Sequence, residues 1–223
     1  METTGSLRLR DAAAVALGVT SGATDAISFI VFGGAFTSVM TGNLVLLGIS
    51  VAHANGAAAR QVGVAIIGYI AGCAAGSRIA GTASSGDPVW PPAIARGIGV
   101  EACLFVVYAA GWWASDARPT GAVAASLLGV SAIALGIQSS TVRRFGERGL
   151  ATTYLTGTLT TLVISLTTGH RLRDVSRHLL ILIALVCGAA LAALLLQHVP
   201  GFVPLTQLVP LIIVLGVAFW QTR

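Results

Sequence analysis

The chain alternates long apolar runs with short polar breaks. Runs fall at about 12–32, 36–52, 62–83, 93–113, 121–142, 150–168, 175–196 and 202–220, and glycine, proline and charged residues collect in the gaps between them. A membrane-crossing helix needs about 20 predominantly apolar residues. The runs at 36–52 and 150–168 are the short ones rich in hydroxyl side chains, and the other six are read as spans. None of the gaps is long enough to fold alone. The pattern predicts an all-α, polytopic membrane helix bundle with a single transmembrane domain over 1–223, built from about six spans and two short re-entrant or broken helices.

The two short runs share a motif. Phe36-Thr37-Ser38-Val39-Met40-Thr41-Gly42-Asn43-Leu44 is echoed by Ala151-Thr152-Thr153-Tyr154-Leu155-Thr156-Gly157-Thr158-Leu159. Ahead of each lies a second matching pair, Ala16-Leu17-Gly18-Val19-Thr20-Ser21 and Ala134-Leu135-Gly136-Ile137-Gln138-Ser139, and 71–76 has a weaker partner in 187–193. Repeats over about 11–113 and 121–221 follow, each reading as span, short segment, span, span. Arginine placement bears on how they sit, because cytoplasmic loops are enriched in basic residues. With all eight segments crossing, the arginines divide eight to five; with the two short segments entering and leaving on one side, only Arg60 and Arg118 lie opposite the other eleven. The second arrangement gives each repeat three crossings and hence opposite orientations, the inverted-repeat plan of many transporters. Eight full crossings in parallel repeats is the alternative. The favoured plan puts both termini in the cytoplasm.

Composition narrows the function. Of 223 residues 55% are hydrophobic and 9% charged, with a mean hydropathy of +0.87; a soluble domain carries about 25% charged residues. The net charge of +5 comes from arginines scattered over short loops, so it reflects membrane orientation and not a nucleic-acid surface. Cys73, Cys103 and Cys187 lie in apolar runs without metal or disulfide spacing. The polar start with Arg8 and Arg10 leads into a span without a cleavage site and is read as retained. His53, His170, His178 and His198 lie in or beside loops, and no nucleophile or metal-ligand motif is present, so the chain is not read as an enzyme and no cofactor is implied.

The candidate chemistry sits in the duplicated motif and in two carboxylates. If the first short segment is helical from its start, Ser38 and Thr41 share a face, Gly42 allows close approach and Asn43 adds an amide. Thr153, Thr156, Gly157 and Thr158 repeat the set. Thr37 or Thr152 is placed to cap a half-helix whose amides aim at a polar or anionic solute. Asp25 lies deep in the first span and, counted by the matched sextets, corresponds to Arg143. An ionisable group at such depth is a candidate for solute binding or ion coupling; its structural reading is a helix cap or a buried ion pair. Glu101, midway through the fourth span, raises the same question. Gln138, with Ser139 and Ser140, faces Thr20 and Ser21 as a candidate cavity lining or as interhelical hydrogen bonding. Gly68, Gly72 and Gly76 form a small-residue ridge suited to another span of the same chain or to a homo-oligomer. Trp90, Trp112, Trp113 and Trp220 lie near run ends, as interfacial anchors do.

Gly22-x-x-Asp25-Ala26 with Phe36 to Asn43, followed by Gly136-Ile137-Gln138-Ser139-Ser140 with Thr152 to Leu159, resembles the bacterial YoaK family of small multi-pass membrane proteins. The resemblance covers nearly the whole chain. It implies a bacterial inner-membrane location and names no substrate; where relatives often carry asparagine after the glutamine, this chain has Ser139. The resulting expectation is a small secondary transporter or permease for a small polar or anionic solute, in contact with the lipid bilayer. A passive channel or non-catalytic membrane scaffold is the alternative.

Overall fold

The computed structural model describes residues 4–81, 92–143, 155–168 and 172–221. The described residues form α1 (Thr4–Val31), α2 (Met40–Ala52), α3 (Gly56–Ala80), α4 (Pro92–Ala114), α5 (Gly121–Val142), α6 (Leu155–Thr167), α7 (Leu172–His198) and α8 (Leu205–Gln221), with a 3-10 turn at Pro200–Phe202 before α8. Six of them, α1, α3, α4, α5, α7 and α8, are long and apolar enough to cross a bilayer. The two 13-residue helices α2 and α6 are about 20 Å long, short of the roughly 30 Å hydrocarbon core. Large side chains left exposed, such as Val45 and Ile49 on α2, Ile67 on α3, Val106 on α4, Val186 on α7 and Ile212 on α8, are apolar, as a lipid-facing surface requires.

Small residues set how the helices pack. On α3, Gly68, Gly72 and Gly76 face the α5 backbone at Gly129, Ile133 and Ile137, and a β-carbon at Gly72 would run into the Ile133 carbonyl. The constant offset means that α3 and α5 run in the same direction. The ridge is therefore taken up by another span of the same chain, the first of the two uses that the sequence suits it to, and not by a homo-oligomer contact. A like crossing joins α1 to α7, with Gly18 and Gly22 against Ile181 and Leu185, and Gly188 against Val19. In contrast, Gly97 meets Thr141 while Gly111 meets Leu127, so α4 and α5 are antiparallel.

The path of α2 follows from its neighbours. α1 stops at Gly33 and Gly34, which take φ of +85° and +82°, values that glycine adopts without a β-carbon penalty. The Gly34 amide donates to the Phe29 carbonyl at 3.1 Å, closing the last turn. Phe32 packs edge-on against Trp112, with centroids 6.4 Å apart, and Gly33 abuts the Gln61 side chain. The end of α1, the start of α3 and the end of α4 thus share one end of the bundle. Between them the chain turns back to the level of Asp25, six residues or about 9 Å inside α1, and α2 carries it out again. The short segment enters and leaves on the same side. At that same end, Trp112 and Trp113 donate their indole N–H groups to the Pro200 and Gly201 carbonyls at 2.9 and 2.8 Å, fixing α4 to the turn before α8.

Candidate functional site

Asp25 is the hub of the re-entrant turn. Its Oδ1 accepts the Thr37 amide at 2.7 Å, the Thr37 hydroxyl at 2.9 Å and the Ser38 amide at 2.8 Å, and its Oδ2 accepts the Ser38 hydroxyl. A chain turning inside a membrane must find partners for amides that have left a helix. This carboxylate supplies them. Asn43 closes the other side: Oδ1 accepts the Phe36 amide at 2.9 Å and Nδ2 donates to the Phe36 carbonyl at 2.6 Å. Phe36 stacks on Phe29 of α1, with centroids 4.9 Å apart. Asp25, Thr37, Ser38 and Asn43 are all buried.

This geometry revises several expectations from the sequence. Residues 36–38 precede α2 and are not helical, so Ser38 and Thr41 do not share a helix face: Ser38 turns to Asp25, whereas Thr41 is exposed. The N-cap of α2 is Val39, which makes no side-chain cap, and Thr37 serves Asp25 instead. Gly42 packs against Phe36 and Val39. The amides of Thr41 and Gly42, in the first turn of α2, meet no acceptor among the described residues.

In the second short segment, Thr153 lies outside the described residues, as does the side chain of Thr156. Gly157 and Thr158 stand in the first turn of α6, which packs on α7. Gln138 is fully buried, and its Nε2 donates to the Ser21 hydroxyl at 2.9 Å, tying α5 to α1. Ser139 and Ser140 return their hydroxyls to carbonyls of their own helix.

Glu101 occupies a different setting. It is fully buried on the inner face of α4, and neither carboxyl oxygen has a hydrogen-bond partner among the described residues. One turn below it, Gly97 receives Thr141 of α5, whose hydroxyl is likewise buried and unpartnered. Two turns above, the Tyr108 hydroxyl faces the Gln207 amide of α8 without forming a hydrogen bond of ordinary geometry. Tyr108, Thr141 and Gln207 escaped the sequence reading. Tyr108 stands seven residues from Glu101, a helical spacing that puts both on one face, but nothing near Gln207 or Thr141 in the chain points to α4.

A crevice between α1, α7 and α8 is lined by residues including Val19, Leu191, Phe202 and Pro210 and is apolar. None of the Asp25 or Glu101 groups lines it. No cluster of metal-ligating side chains forms among the described residues.

The chain is similar to UPF0700 transmembrane protein YoaK of Bacillus subtilis (strain 168), with 28% identity over 208 residues that cover 89% of this chain and 88% of the relative. No solved structure matches it. A family profile described as "Protein of unknown function (DUF1275)" matches residues 13–220, so the protein belongs to the DUF1275 family of multi-pass membrane proteins.

Proposed function

We propose that this protein is a small secondary transporter or permease for a small polar or anionic solute, built from two inverted repeats in the bacterial inner membrane with both termini cytoplasmic. The observation that carries this reading is the re-entrant course of α2, which starts at the depth of Asp25 and presents Thr41 and two unpaired amides there. Breaks of this kind are the places where transporters bind solutes, with half-helix N-termini facing anionic groups.

The matched crossings support the repeat. Gly72 on Ile133 and Gly136 on Tyr69 in the α3–α5 pair have counterparts in Gly188 on Val19 and Gly22 on Leu185 in the α1–α7 pair. α1 and α5 run in opposite senses, as inversion requires. In this register Gly22 matches Gly136, one helical turn from the match suggested by the sextets, and Asp25 corresponds to Ser139, not to Arg143. The duplication therefore does not set opposite charges against each other.

Reading the protein as a passive channel or scaffold has an observation of its own in its favour: Asp25, Ser38 and Asn43 are engaged in bracing the turn. Proteoliposomes holding the purified protein and offered a panel of labelled small polar and anionic solutes separate the readings. A transporter accumulates at least one solute against its gradient, and Thr41→Val cuts that accumulation at least tenfold at equal protein content. Equilibration without accumulation indicates a channel, and no flux of any solute indicates a scaffold.

A further inference from the structure

Glu101 stands ten residues into the 23-residue helix α4, level with Ile137 of α5 by the register that joins Gly97 to Thr141 and Gly111 to Leu127. Gly97, Phe105, Tyr108 and Trp112 share its buried face. No donor reaches either of its oxygens, and no cation pairs with it, among the described residues. α5 and α8 contain no titratable side chain within their bounds, and Arg143, which caps the end of α5, is exposed. On α4 itself, Arg96 and Cys103 are exposed and Tyr108 is a neutral phenol. On α3, Arg60 and Arg78 are exposed, with Arg78 turned to the Ala74 carbonyl, and Tyr69 and Cys73 are partly buried against α5. On α1, Asp25 is held by Thr37 and Ser38, while Arg10 and Asp11 stand near the helix start, far from the Phe32 end that meets Trp112. An ionised carboxylate without a cation or donors costs several kcal/mol even after relaxation. A carboxyl group that carries its own proton avoids that cost.

We propose that Glu101 is the proton-binding site of the transport cycle, holding a proton while the seam between α4, α5 and α8 is closed and exchanging it with water when the seam opens. The proposal rests on the transporter reading and deepens it by naming the coupling ion as H+. The step is simple acid–base chemistry: an O–H bond forms on one Oε from hydronium and breaks to return it, and no redox partner is needed. Thr141 on one side, and Tyr108 with Gln207 on the other, are the buried polar groups that have no partner in the closed seam and are placed to solvate water in the open one. The contrast with Asp25 matters here. Asp25 also lies deep in a span, but its donors are already in place.

Infrared spectroscopy of the full-length protein in lipid tests the assignment without any solute. At neutral pH the wild type is expected to show the C=O stretch of a protonated carboxylic acid, shifted by deuterium exchange. Glu101→Gln abolishes it, Glu101→Asp moves its frequency, and Asp25→Asn leaves it in place. Glu101→Asp keeps the test open should the glutamine variant fail to fold. Absence of the band in the wild type, or a band that survives in both Glu101 variants unchanged, would overturn the proposal. Because no solute is involved, loss of the band in Glu101→Gln stands even where accumulation in proteoliposomes fails, and the two readings fall separately.

Discussion

Asp25 and Glu101 both lie well inside membrane-length helices, and the structure treats them in opposite ways. Asp25 accepts four hydrogen bonds from Thr37 and Ser38. Glu101 accepts none among the described residues. Depth in the membrane is the same warning for both, so depth alone does not separate a structural acid from one poised for chemistry. The supply of donors does. Asp25 braces a turn whose amides have no helix to serve them, whereas Glu101 braces nothing and sits between the unpartnered Thr141 hydroxyl one turn below and the Tyr108 hydroxyl two turns above.

The largest effect is expected from Asp25→Ala. It strands the buried amides of Thr37 and Ser38, at about 1–3 kcal/mol each, for a total loss of roughly 2–6 kcal/mol. Thermal unfolding in detergent would show it as a marked fall in apparent melting temperature, and proteolysis would increase within 33–39. An unchanged melting temperature would mean that the turn does not depend on the carboxylate. Asn43→Ala should act in the same direction with less force, about 1–3 kcal/mol, because it deprives one residue, Phe36, of both its partners. The two losses should fall short of additive in the double variant, since both residues hold the same turn.

Much of this fold was legible in the sequence. The apolar runs gave the six long helices to within a few residues at most boundaries, and 121–142 matches α5 at both ends. The arginine distribution pointed to a segment that enters and leaves on one side, which is the course α2 takes. What escaped the sequence depends on contacts between distant positions. The motif at 36–43 looked like the start of a helix, but Thr37 and Ser38 are drawn to Asp25, twelve and thirteen residues upstream, and helix propensity carries no trace of that pull. The sextets at 16–21 and 134–139 likewise say nothing of which glycines meet a backbone: Gly22 lies against the Leu185 carbonyl and Gly136 against the Tyr69 carbonyl, contacts made with helices far along the chain. Glu101 was visible as an ionisable group in a span. Its isolation was not, because α5 and α8, which surround it, lie far along the chain.

The most direct test makes one chemical change at both sites. Asp25→Asn and Glu101→Gln each replace a carboxyl group with an amide of the same shape, and their apparent melting temperatures can be measured side by side in the same detergent at neutral pH. Asp25→Asn should destabilise by about 1–3 kcal/mol, as an acceptor of charge-assisted bonds is weakened and an NH2 group faces the Ser38 donor. Glu101→Gln should stay within about 1 kcal/mol of the wild type, because no hydrogen bond is lost. Equal losses at the two sites, or a larger loss at Glu101, would contradict the division between a bracing acid and a poised one.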